Sequence, residues 1–103
     1  MYPLTRLRRT RMYKWSRNIV KENVISSSDL ILPIFIKEGK KKEEEISSMP
    51  DVYKYSIDNL EKIVTRAVKN KIPAIALFPE IENDKKDEIG SEALNENNLV
   101  CQA

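Results

Sequence analysis

Two short apolar runs, LILPIFIKEG at 30–39 and IPAIALF at 72–78, restrict this chain more than any other feature. Both are rich in isoleucine and neither alternates polar with apolar residues, the pattern of strands covered on both faces inside a parallel sheet. Between them Ile57, Leu60, Ile63, Val64, Ala67 and Val68 recur at spacings that line one side of a helix. Ser56 offers an N-cap oxygen, Asp58 puts a carboxylate in the first turn, and Lys69 and Lys71 stand at the far end, all of which suit the helix dipole. The pattern predicts a helix over about 57–70, and therefore strand, crossover helix, parallel strand.

A parallel pair with one crossover exposes two edges and needs cover on both faces. At 103 residues the chain is at most one small domain, and its other segments do not supply that cover. The expectation is an α/β fold that forms the front part of a larger architecture and ends before that architecture closes.

Charge is unevenly placed. Residues 1–23 hold seven basic side chains against the single acid Glu22, whereas the other eighty hold eleven basic against fifteen acidic. A basic arm thus precedes a mildly acidic body, and the two can attract within or between chains. No run reaches the roughly 18 apolar residues of a membrane span, and the basic N-terminus lacks an apolar signal core. The lone Cys101 rules out an internal disulfide and fits a reducing, cytoplasmic setting; beside Leu99 and Val100 it reads as a small buried hydrophobe. With no histidine, a His-based triad or His-ligated zinc is impossible within these residues.

The organisation follows as a basic arm with a short helix over 1–28 and a strand–helix–strand body over 29–103. In the arm, Met12, Trp15, Ile19 and Val20 can share a helical face within 12–23, and 26–29 (SSSD) leads into the first strand. The block KKKEEE at 40–45 reads as a solvated loop tip, and 46–50 with 52–55 as a small hairpin turned at Pro50 and Asp51, lying across one end of the sheet and plugging the bottom of a barrel. Residues 79–98 form a polar loop leaving the carboxyl end of the second strand, and 99–103 start another helix. Loops at that end of parallel strands are where α/β folds place their ligands, so 79–98 is the expected neighbour of any active site.

Six segments, in order, resemble the porphobilinogen synthase (5-aminolevulinate dehydratase) family: RLRR at 6–9, DLILPIFIKEG at 29–39, SMP at 48–50, VYKYS at 52–56, IPAIALF at 72–78 and KDEIGSEA at 86–93. The resemblance covers nearly the whole chain. It implies the N-terminal fragment of a (β/α)8 TIM barrel, with an extended arm that wraps a neighbouring subunit of a homo-oligomer, commonly an octamer. It also implies condensation of two 5-aminolevulinate molecules to porphobilinogen with loss of water, in tetrapyrrole and heme biosynthesis. The family uses two Schiff-base lysines, whose amines must be neutral to attack, and either zinc or magnesium. None of its catalytic, cofactor-binding or metal motifs falls in the matching segments, so no such residue is carried over, and the 103-residue chain alone is expected to be inactive. The twelve lysines read as solvated amines. Asp51, Lys71 and Pro79 stand where the family commonly has glycine, each at a turn.

Two other classes compete. Tyr13 and Trp15 among the arginines would suit a nucleic-acid-binding arm, although the acidic body opposes a large phosphate-binding face. A stand-alone α/β interaction module would need its strands covered by the arm, the hairpin or a partner chain. The family reading expects neither nucleic acid nor membrane as a partner.

Overall fold

Strand β1 (Ile31–Ile36) runs alongside β4 (Ala74–Pro79) in parallel over its full length, from Ile31 opposite Ala74 to Ile36 opposite Pro79. This computed structural model describes residues 1–103. The connection between the two strands is the expected helix, with a single 3-10 turn at Ile57–Asn59 running into α2 (Leu60–Lys69). Within these residues the strands form an open four-stranded sheet, β2-β3-β1-β4, in which β2 is Glu43–Glu45 and β3 is Tyr53–Tyr55.

The hairpin differs from the expected one. Its first strand is Glu43–Glu45, pairing antiparallel with Tyr53–Tyr55, while 46–52 make the turn. The acidic half of the 40–45 block is therefore strand, because Glu43 and Glu44 find ammonium partners on Lys62 and Lys37. Nor does the hairpin cross the bottom of a barrel. Lys54 and Tyr55 pair in parallel with Phe35 and Ile36, the last residues of β1, so β3 extends the sheet at its carboxyl end.

Residues paired across parallel strands share a face. On one face Leu32, Ile34, Leu77 and Tyr55 pack with Leu60, Ile63 and Val64 of α2 and with Leu99 of α3 (Leu99–Gln102); Ile34 and Ile36 are sealed from solvent. The other face, carrying Ile31, Pro33, Phe35, Ala76 and Phe78, has no covering layer: Ile31 is 65% exposed and Phe78 49%. Tight cover on both faces, expected from the unbroken apolar runs, is thus realised on one face only. The accessible surface is 9130 Å², against about 6000 Å² for a compact protein of this mass. The radius of gyration is 21.3 Å, where about 13 Å is typical of a compact domain of this length.

Three local readings also change. Ser56 does not cap α2 with its hydroxyl; its own carbonyl takes the Asn59 N–H, and the hydroxyl instead accepts from Lys42 N–H (2.9 Å) and donates to the Lys42 carbonyl (3.3 Å). With Asp58 Oδ2 accepting from Lys41 N–H at 2.7 Å, the turn at 39–42 is pinned to the start of the helix. Cys101 is exposed, because the single turn of α3 directs Leu99 inward and the thiol outward. In the arm the helix is shorter than 12–23: α1 covers Lys14–Val20, preceded by a 3-10 turn at Arg9–Arg11. Its candidate face is exposed at Met12, Trp15, Ile19 and Val20, with only the Tyr13 ring stacked on Trp15.

Candidate functional site

Alternation along β1 and β4 carries the uncovered face past the last strand residues. Phe35 and Phe78 lie opposite each other there, rings 5.7 Å apart. Two positions on, Lys37 and Glu80 emerge on the same side, with Lys54 beside Phe35 and Glu44 beside Lys54. The outcome is a charged rim above an apolar floor, at the carboxyl end of the parallel strands, where α/β folds bind ligands.

The rim is a connected ionic network. Glu80 Oε1 accepts from Lys54 Nζ at 2.8 Å, Glu80 Oε2 lies 3.7 Å from Lys37 Nζ, and Lys37 Nζ also donates to Glu44. The backbone fixes these partners: Glu80 N–H donates to the Ile36 carbonyl (2.8 Å) and Lys37 N–H to the Tyr55 carbonyl (2.9 Å). The hydrogen bond to Glu44 raises the Lys37 ammonium above its ordinary pKa, against the opposing effect of burial, and the charges of Glu44, Glu80 and Glu82 add to the rise. The same bond lowers the Glu44 carboxyl. One step outward, Lys85 of the 79–98 loop donates to Glu38, which raises the Lys85 pKa.

The expectation that 79–98 leaves at this end of the sheet is met. The reading of every lysine as a solvated amine is not: the side chains of Lys37 and Lys54 are only 16% and 24% exposed. Period two along β1 and β4, continued one residue past each end, would have placed Lys37 on one face with Glu80; the pairing of β3 with the far side of β1, which brings Lys54 beside them, carried no such sequence signal.

Lys37 is held charged by its carboxylate partners, the opposite of what a Schiff-base lysine requires, and Lys54 is engaged by Glu80. No three Asp, Glu or Cys side chains converge to hold a metal ion, so the donor set present here does not fit zinc or magnesium. What the rim can do is fix the geometry of the strand ends and of the loop that leaves them.

Residues 4–103 match the family model described as "Delta-aminolevulinic acid dehydratase". The protein of that name from Bradyrhizobium diazoefficiens is 50% identical over 98 residues, 95% of this chain and 28% of the relative. The one from Methanothermus sociabilis is 40% identical over 99 residues, 96% of this chain and 30% of the relative. Among solved structures, delta-aminolevulinic acid dehydratase (porphobilinogen synthase) of Toxoplasma gondii, crystallised with its reaction product porphobilinogen, superposes with a TM-score of 0.78 at 32% identity, over 93% of this chain and 27% of that one. The chain spans under a third of the length of these relatives.

Proposed function

This chain belongs to the delta-aminolevulinic acid dehydratase family, and from that premise we propose that it is the amino-terminal scaffold of a porphobilinogen synthase. The parent enzyme, a lyase, condenses two molecules of 5-aminolevulinate to porphobilinogen with loss of water, in the cytoplasm. In this reading residues 29–103 supply the first strands of a (β/α)8 barrel and residues 1–28 an arm that docks on a neighbouring subunit of a homo-oligomer. The observation that carries it is the in-register parallel pairing of β1 with β4 across α2, within a segment that matches the family model almost end to end.

The uncovered face supports the scaffold role. Ile31, Pro33, Phe35 and Phe78 point away from α2, which is where a barrel puts its interior layers. The surface excess of about 3000 Å² over a compact protein of this mass argues against the stand-alone module. No catalytic residue is assigned to this chain, and any zinc or magnesium of the parent enzyme is held by residues outside it.

A chimera tests the proposal. Residues 1–103 replace the matching segment of the Bradyrhizobium diazoefficiens relative, and porphobilinogen formation from 5-aminolevulinate is assayed. The expected result is an active, oligomeric chimera, with no product from the 103-residue chain alone. A folded but inactive chimera, or turnover by the chain alone, overturns it.

A further inference from the structure

The rim network does more than balance charge. Glu80 is the first residue beyond β4, and everything from there to Asn98 runs as a long loop held mainly by bonds within itself: Lys85 N–H to the Glu82 carbonyl, Lys86 N–H to the Asn83 carbonyl, Ser91 N–H to Asp87 Oδ1. Its ties to the sheet are few. The Glu80 N–H bonds to Ile36, the Glu80 carboxylate sits between Lys54 and Lys37, and Lys85 reaches Glu38.

We propose that Glu80 is a positioning residue, whose carboxylate, shared by Lys54 of β3 and Lys37 at the end of β1, fixes where the 79–98 loop departs from the rim and couples that loop to the β2–β3 hairpin. That this loop borders a reaction site rests on the function proposed above; that Glu80 positions it does not. The charged groups facing the site are Lys37, Glu38, Glu44, Lys54, Glu82 and Lys85. Lys37 keeps Glu44 if Glu80 is lost, whereas Lys54 has no second carboxylate bonded to it. Loss of the Glu80 charge therefore leaves the Lys54 ammonium on β3 without its carboxylate and loosens the loop, which keeps only the Glu80 N–H bond to Ile36 and the Lys85–Glu38 pair.

Hydrogen exchange on the full chain reads this directly. In Glu80→Gln, which keeps shape and removes charge, exchange of the Lys85, Lys86 and hairpin amides accelerates roughly two- to fivefold, the range of an exposed ion pair, while the β1–β4 ladder amides do not change. Glu80→Asp, which retains the charge, restores most of the protection. Raising sodium chloride to about 0.5 M, where screening acts within a few Å, accelerates the same amides more in the unsubstituted chain than in Glu80→Gln, where only the Lys37–Glu44 and Lys85–Glu38 pairs remain to be screened. Equal acceleration throughout the ladder, or loop exchange indifferent both to the substitution and to salt, overturns the proposal. Should Glu80→Gln not fold, Lys54→Met, which removes the other partner of the 2.8 Å pair, takes its place: faster exchange of the loop and hairpin amides with the ladder unchanged supports the proposal, and unchanged loop exchange overturns it.

Discussion

Lys54 on β3 and Glu80 just past β4 meet at 2.8 Å although their strands do not pair; β1 lies between them. The bond therefore bridges the carboxyl end of the sheet over the central strand. In a double-mutant cycle with Lys54→Met and Glu80→Gln the expected coupling is below about 1 kcal/mol, since Glu80 keeps access to water. Coupling that persists undiminished in high salt would contradict an ionic origin.

Lys71 is in the left-handed region, at φ 57°, one residue beyond the C-cap of α2. Its N–H bonds to the Val68 carbonyl and the Ile72 N–H to the Ala67 carbonyl, the paired bonds of a Schellman motif whose central position favours glycine. Asp51, at φ 63°, occupies the hairpin turn in the same way. Lys71→Gly is expected to relieve about 0.5–1 kcal/mol of strain, read as a rise of roughly two- to fivefold in protection of the α2 amides. Unchanged or weaker protection would refute it.

How much of this could be read from residues alone is clearest at such positions. The parallel strands, the crossover helix and the turn character of Asp51 and Lys71 were legible because hydrophobic period and φ preference are local. Glu43–Glu45 as a strand was not, since three adjacent carboxylates oppose strand pairing until Lys37 and Lys62 are brought near them by the fold. Ser56 misleads for a similar reason: its hydroxyl can serve either the helix or a distant loop, and only the tertiary position of Lys42 decides. The Lys37, Lys54 and Glu80 rim is likewise assembled from residues far apart in the chain, by strand order that no local pattern encodes.

The two faces of β1 should respond differently to truncation. Ile36 is fully buried, so Ile36→Ala removes a core side chain at a cost of about 2–5 kcal/mol. Ile31, on the uncovered face, should cost less than about 0.5 kcal/mol as alanine. Denaturant midpoints followed through the helix signal of α2 check this; similar losses at both positions would mean the second face is covered after all.

The exposed thiol gives a direct check on α3. Cys101 N–H is tied to the Asn98 side chain at 2.9 Å while Leu99 packs against the core, leaving sulfur at the surface. A thiol reagent should modify Cys101 in the native chain at nearly the rate seen in denaturant. Reaction slowed a hundredfold or more, restored by unfolding, would bury the residue.

Response to pH follows from which state binds protons more readily. Asp58 is held below its ordinary value by the neighbouring Ser56 hydroxyl dipole and the hydrogen bond from the Lys41 N–H, Asp87 by hydrogen bonds from the Ser91 hydroxyl and N–H, and Glu44 by Lys37. For these carboxyls the unfolded chain takes up protons first, so their contribution is complete above the ordinary carboxylate range and disappears as pH falls through the lowered values. Lys37 and Lys85 are shifted the other way, upward from 10.5; their contribution is complete below that value and disappears as pH rises through the raised ones. The fold should therefore keep a plateau across neutral pH and weaken on both sides. Because all five groups are near the surface, the effect is best read locally. The amide resonances of Lys41 and Ser91, which donate to Asp58 and Asp87, should titrate with midpoints below 3.8, and Asp58→Asn should abolish the Lys41 response alone. A midpoint at or above 3.8 would show that the turn at 39–42 is not pinned to α2 by that carboxylate.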